Sequence, residues 1–137
     1  NIKASFKYLC HLLRPSITSI GLMKMFSEVP EVFLHRDVVD FRKSINGLVG
    51  IVEGELEHDA YTGALFVFCN KARDKLKILY WDKTGFALWY KRLEKQKFKW
   101  PSKVSNQVFE LTEQQLAWLL SGYDVVGHDP LHYESVI

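Results

Sequence analysis

The chain carries only two cysteines, four prolines and two methionines among 137 residues. Cys10 and Cys69 are too few for a disulfide framework, and a reducing, cytoplasmic setting is expected. Cys69 ends an apolar run and is expected to pack as a small hydrophobe. No apolar stretch approaches the roughly 18 residues that a bilayer-spanning helix needs, so no membrane role is expected. Cys-x-x-Cys and His-x-His pairs are absent, as is a Gly-rich phosphate loop ahead of a helix. The five histidines (His11, His35, His58, His128, His132) are scattered, and Pro130 would break any helix presenting the last two together. Neither a zinc site nor a cofactor is expected.

Charge of one sign is missing from whole stretches. Residues 1–22 hold no acid, and residues 104–137 hold no Lys or Arg but five acids. Between them, residues 71–103 hold eleven Lys/Arg against Asp74, Asp82 and Glu94, a local excess of eight positive charges in a chain whose net charge is +2. That middle segment is the strong electrostatic signal.

What is present is globular. Hydrophobic residues make up 47% of the chain, enough for one packed core and too many for a disordered chain. Residues 1–22 have a character of their own: Arg14-Pro15 interrupts their apolar stretch, and Met23 and Met25 stand just before the first clear pattern. Translation is expected to start at one of these methionines, with 1–22 an upstream extension or arm, 23–124 a single domain and 125–137 an irregular tail.

Val32 to Leu34 reads as a short strand. Asp37 and Asp40 are candidate caps for a helix whose stripe is Phe41, Ile45, Leu48, Val49, Val52 and Leu56. Gly47, Gly50 and Gly54 weaken that helix, and the spacing of Gly47 and Gly54 suggests a face of close backbone approach. Its acidic last turn, Glu53 to Asp59, should fray or lean on a basic partner.

Apolar runs then alternate with turn residues: 64–69, 76–81, 86–93 and 97–100, the last stopped by Pro101. Such short connections imply antiparallel hairpins. Both faces of 64–69 are apolar, which marks a central strand. Along the last hairpin Trp89 and Lys91 share one face, and Leu88 and Tyr90 the other; one sheet face is expected to pack on helices and the other to be mixed aromatic and basic. Val108 to Leu111 is a further short strand. Thr112 with Gln115 forms a capping box ahead of Leu116, Leu119 and Leu120, and Gly122 is the expected stop. The fold class is therefore α+β: an antiparallel meander of four to five strands, a longer helix before it and a shorter helix after it.

Catalysis finds little support. Metal-dependent DNA cleavage needs carboxylates converging on ions about 4 Å apart. Asp37 and Asp40 are better explained as caps, and Asp74 and Asp82 as turn formers. Ser44, beside Arg42 and Lys43, is better explained as a surface residue of the first helical turns than as a nucleophile. No catalytic residue is assigned. The basic clusters are the better candidates. Lys71, Arg73, Lys75 and Lys77 ring the first hairpin turn, and Lys91, Arg92, Lys95, Lys97 and Lys99 ring the last, with Arg42 and Lys43 as an extension. Several cations on one rigid surface suit phosphates, though lysines guarding a sheet edge would look the same. Trp81, Trp89, Phe98 and Trp100 could stack on an unpaired strand, but burial in the core is the preferred reading for them.

Three stretches carry a family resemblance. They are Asp40-Phe41-Arg42-Lys43-Ser44-Ile45-Asn46-Gly47-Leu48, the span Gly63 to Pro101, and Leu111-Thr112 with Gln115-Leu116, Trp118-Leu119-Leu120 and Gly122. In order and spacing, over about residues 26–124, they resemble the TnpB accessory proteins of IS-sixty-six-type insertion sequences. Gln96 departs from the pattern, standing where members often have glycine, and residues 1–22 have no counterpart. The resemblance implies a bacterial protein needed for transposition, acting beside the element's transposase and another accessory protein. With the basic clusters, it implies weakly sequence-specific contact with DNA, since no recognition helix rich in Arg, Asn and Gln is evident. The alternative is a protein adapter that docks on the transposase without touching DNA.

Overall fold

The computed structural model describes residues 30–125. The expectations for residues 1–22, the start at Met23 or Met25, Cys10, His11, His128, His132 and most of the tail lie outside the described residues.

In chain order the elements are β1 (Val32–His35), α1 (Ile45–Gly50) running directly into a π-helical turn (Ile51–Glu55), a 3-10 turn (Ala60–Thr62), β2 (Leu65–Cys69), β3 (Lys75–Asp82), β4 (Gly85–Arg92), β5 (Val108–Leu111) and α2 (Glu113–Leu120). The strands form one sheet in the order β4-β3-β2-β1-β5. The class is α+β, as expected, and three of the four strand pairs are antiparallel. The departure is β1, which lies parallel to β2 with Val32 opposite Leu65 and Leu34 opposite Val67. A parallel pair needs a long crossover, and residues 36–64 with α1 supply it.

All five residues of β2 are buried. Its alternating side chains feed two separate cores. On one face Phe66 and Phe68 pack with Leu48, Ile51, Val52 and Leu56 of the α1 segment. On the other, Leu65, Val67 and Cys69 pack with Leu116 and Leu119 of α2 and with Phe98 and Trp100. The sheet is therefore covered on both sides. The expected open face of mixed aromatic and basic residues does not exist, because Phe98 (2% exposed) and Trp100 (5%) are folded inward over it. Burial pushes the Cys69 thiol up to about 12, consistent with an inert packing residue.

Two sequence expectations are corrected here. The helix expected from Phe41 begins at Ile45, after Ser44, and Asp37 and Asp40 cap nothing. Asp40 instead accepts from the Arg42 backbone N–H and guanidinium, and with Lys43 N–H on Asp40 O it closes an isolated turn ahead of the helix. The helix then widens: Leu56 N–H donates to Ile51 O and His58 N–H to Val52 O. This wide turn keeps Ile51, Val52 and Leu56 buried while Glu53, Gly54 and Glu55 face out. No close approach occurs at Gly54, where an added Cβ would meet open space. At the acidic end Glu55 accepts from the Gln107 amide at 3.4 Å and lies 3.7 Å from His35 Nε2, beyond hydrogen-bond reach; neither is the Lys or Arg partner expected.

The second correction concerns 97–100, which is not a strand. A single backbone bond, Phe98 N–H to Arg73 O at 2.7 Å, ties it to the β2–β3 turn. Pro101 cannot extend a ladder, and the Trp100 indole N–H instead reaches the carbonyls of His35 and Arg36 at 3.0 and 3.1 Å.

The C-terminal helix follows its sequence signals. Thr112 accepts from Gln115 N–H at 3.1 Å and donates its own N–H to the Gln115 side chain at 2.9 Å, completing the capping box. Gly122, at φ +88°, ends the helix with Tyr123 N–H on Trp118 O and Gly122 N–H on Leu119 O, a Schellman end.

His35 is 3% exposed, and its ring nitrogens have no hydrogen-bond partner. Burial lowers its pKa below 6.5, against smaller opposing effects of Asp37 and Glu55. The folded state therefore binds fewer protons than the unfolded state just below that value, and stability falls as the pH drops through it. Urea midpoints are expected to decline from pH 7 to pH 5, about the range in which an unperturbed imidazole gains its proton, and the decline should be shallower in His35→Phe.

Candidate nucleic-acid interface

The strand directions gather the basic turns at one end of the sheet. β1 and β2 finish there, β3 begins there and β4 finishes there. Three backbone bonds join the connections: Val39 N–H to Cys69 O, Leu93 N–H to Asp74 O and Phe98 N–H to Arg73 O, all 2.7–2.9 Å. Residues 36–44, 70–75 and 92–99 thus form one tied-down end. The β2–β3 turn is itself rigid. Asn70 accepts from Lys75 N–H and donates to Asp74, which holds the Asp74 carboxyl below the usual carboxylate range. Arg73 takes a left-handed conformation at φ +61°.

The candidate cations divide by what their charged groups touch. Lys43, Lys71, Lys95, Lys97 and Lys99 are exposed, and Arg73 and Lys75 are half-buried. Arg42 pairs with Asp40 at 2.6 Å, which holds the Asp40 carboxyl at about 2. Arg92 pairs with Glu94 at 3.0 Å. These pairs are exposed, so each leaves its arginine able to exchange partners with an external anion at little cost.

Two lysines point inward. The Lys77 ammonium donates to the carbonyls of Phe41 and Lys43 at 3.0 and 3.3 Å and sits 4.7 Å from the Phe41 ring centroid. Desolvation lowers its pKa. It fastens the Phe41–Lys43 turn onto β3. The Lys91 ammonium donates to Leu120 O at 2.9 Å, serving one of the orphan carbonyls at the end of α2. Lys75 and Lys77 share one face of β3, so period-two spacing does not separate them; the Phe41–Lys43 turn packed over Lys77 does.

The exposed cations wrap the end of the sheet rather than cover one of its faces. Arg42, Lys71 and Lys75 line a hollow on the α1 side. Arg73, Lys97 and Lys99 line another on the α2 side, with Tyr123 and Asp124 in its wall. Tyr123 was missed by sequence reasoning; the signal available was an aromatic residue directly after a helix-stopping glycine.

The acids do not converge. Asp37 pairs with Arg36, Asp40 with Arg42 and Asp74 with Asn70, while Asp82 lies at the far end of the sheet opposite Gly85. Among the described residues no group of three His, Cys, Asp or Glu could hold a metal ion, and no helix is long and apolar enough to cross a membrane.

Removing the inward ammonium tests its structural assignment. Lys77→Met keeps the stem but leaves two carbonyls without a charged donor, so a loss of about 1.5–3 kcal/mol in urea unfolding is expected, with faster amide exchange around Phe41–Lys43.

Comparison with known proteins gives the family. The model for the IS66 Orf2-like proteins, TnpB of IS66 elements, matches residues 30–129. The protein y4jC of Sinorhizobium fredii (strain NBRC 101917 / NGR234) is 40% identical over 86 residues, covering 63% of this chain and 73% of the relative. The protein y4hO of the same organism is 34% identical over 85 residues, covering 62% and 73%. No solved structure matches the chain. The match spans β1 through α2, the whole of the two-sided sheet, and the chain belongs to the IS66 Orf2-like family of insertion-sequence accessory proteins.

Proposed function

We propose that this chain is a non-catalytic transposition factor that contacts DNA phosphates through the basic end of its sheet. One observation carries the reading: three independent connections bearing Lys43, Lys71, Arg73, Lys95, Lys97 and Lys99 are tied together by backbone hydrogen bonds. Cations whose connections are already ordered bind a polyanion at a lower entropic cost than cations on flexible loops. Lys77 and Lys91 support the scaffold rather than the contact. The wrapped arrangement fits a backbone that bends around the sheet end, and phosphate contact of this kind carries little sequence information.

Affinity for element-end DNA is expected to fall steeply with salt, by a few hundred-fold between about 50 and 200 mM, the response to releasing counterions from about five phosphates. Lys95→Glu, Lys97→Glu and Lys99→Glu combined should abolish the gel shift. Unchanged affinity in that variant would refute the patch.

A second reading, a protein adapter for the transposase, is favoured by a feature at the opposite end. Tyr61 (53% exposed), Trp81 and Phe86 form a mutually packed aromatic cluster with ring centroids 4.9–5.1 Å apart. An exposed tyrosine backed by two half-buried rings suits a protein interface. Capture of the transposase that persists after nuclease treatment and is lost in Tyr61→Ala would favour the adapter; loss with nuclease alone would favour the DNA tether.

A further inference from the structure

β4 is an edge strand of eight residues, and its pairing with β3 is unbroken from Gly85 to Arg92. The turn at Lys83-Thr84 fixes which of its backbone groups face β3. Asp82 and Gly85 close the hairpin as a hydrogen-bonded pair, so Ala87, Trp89 and Lys91 also bond to β3. Leu93 N–H continues the same phase on Asp74 O at 2.8 Å. The N–H and C=O groups of Phe86, Leu88, Tyr90 and Arg92 therefore point off the open edge. Among the described residues nothing bonds to them.

Sheets protect such edges with short strands, bulges, prolines or charges. The opposite edge does so: β5 has four residues and an exposed Glu110. β4 has no proline and no bulge, and its two cations stand together at one end. Lys91 does not guard the edge, because its ammonium is committed to Leu120 O. Tyr90, whose backbone is one of the open groups, is 49% exposed.

The residues along the edge say what fits it. Let β4 lie antiparallel to itself about a two-fold axis at Trp89. Phe86 then faces Arg92 of the second copy, Leu88 faces Tyr90, and Trp89 faces its own equivalent. All four outward residues donate and accept across the join. No like charges stand opposite each other. Lys91 meets Ala87, and Arg92 meets the Phe86 ring, which attracts a guanidinium. The two Trp89 rings form a non-hydrogen-bonded pair, the kind in which side chains come closest. Parallel pairing in register would instead set each Lys91 and each Arg92 against its equivalent.

We propose that β4 pairs with β4 of a second copy, making one continuous sheet across a symmetric dimer. The join uses only the edge and leaves both helical layers in place. It sets the basic end of each copy beside the aromatic end of the other, so the two cationic ends of the dimer face opposite ways. The dimer does not depend on the DNA reading.

Sedimentation equilibrium of the full chain, with residue-resolved amide exchange, tests this. The chain should be dimeric at high concentration and dissociate on dilution. The amides of Phe86, Leu88, Tyr90 and Arg92 should be protected in the dimer and exchange freely in the monomer. Those of Ala87, Trp89 and Lys91, bonded to β3, should stay protected in both. Tyr90→Glu sets a carboxylate opposite Lys77 of its own sheet, which the monomer tolerates, but against Leu88 of the second copy. It should weaken association roughly ten-fold, because the two-fold repeats the lost pair, with the far-UV circular dichroism unchanged. A monomer at every concentration overturns the proposal. So does a dimer whose four edge amides exchange freely, or one that Tyr90→Glu leaves intact. Protection of those amides only after transposase is added would assign the edge to a strand of that partner, and self-pairing falls.

Discussion

A strand with apolar side chains on both faces cannot be left with either face in water, and β2 imposes that demand on the whole chain. Its five buried residues require two covering layers. The α1 segment supplies one, and α2 with Phe98 and Trp100 supplies the other. Bringing the chain over the first face and back places β1 parallel to β2, with the crossover helix between them. Burying large aliphatic and aromatic side chains on both sides contributes about 1.5–3 kcal/mol each, so the two-sided cover is also where most of the favourable folding energy lies.

That constraint locates the charges. With both faces covered, the lysines of the hairpins are left with the ends of the sheet, and the strand directions put most of the basic connections at the same end. Where a lysine does fall under a covering layer, it is turned to structural use. Lys77 satisfies two carbonyls of the loop before α1, and Lys91 satisfies a carbonyl at the end of α2. Lysines two residues apart on the same face of β3 therefore have opposite fates: Lys75 lines an open hollow, while Lys77 is held inside by the Phe41–Lys43 turn. The molecule is polar end to end, with cations around residues 70–75 and 92–99 and the Tyr61–Trp81–Phe86 cluster at the other extremity.

Local signals were legible where their cause is local. The Thr112–Gln115 capping box, the stop at Gly122, the hairpin around Lys83-Thr84 and the central position of residues 64–69 all follow from side-chain chemistry or period-two patterning within a few residues. The start of α1 was not legible. Asp40 has the right chemistry for a cap, but Arg42 lies close enough to claim its carboxylate and close a turn instead. Residues 97–100 have the alternation of a strand without a strand's partners: Phe98 and Trp100 face inward because they cover β2, while the backbone makes a single bond to Arg73.

The sequence by itself determined the class of the fold, the central strand, the closing helix with its two caps, the family and the excess of positive charge between residues 71 and 103. Each of these depends on composition or on interactions between residues near one another in the chain. Only the tertiary structure decided that β1 runs parallel to β2, that Lys77 and Lys91 face inward, and that Tyr123 joins Arg73, Lys97 and Lys99 around one hollow. Those outcomes depend on which layer covers which face of β2. That is a contest between segments far apart in sequence, and no local pattern records its result.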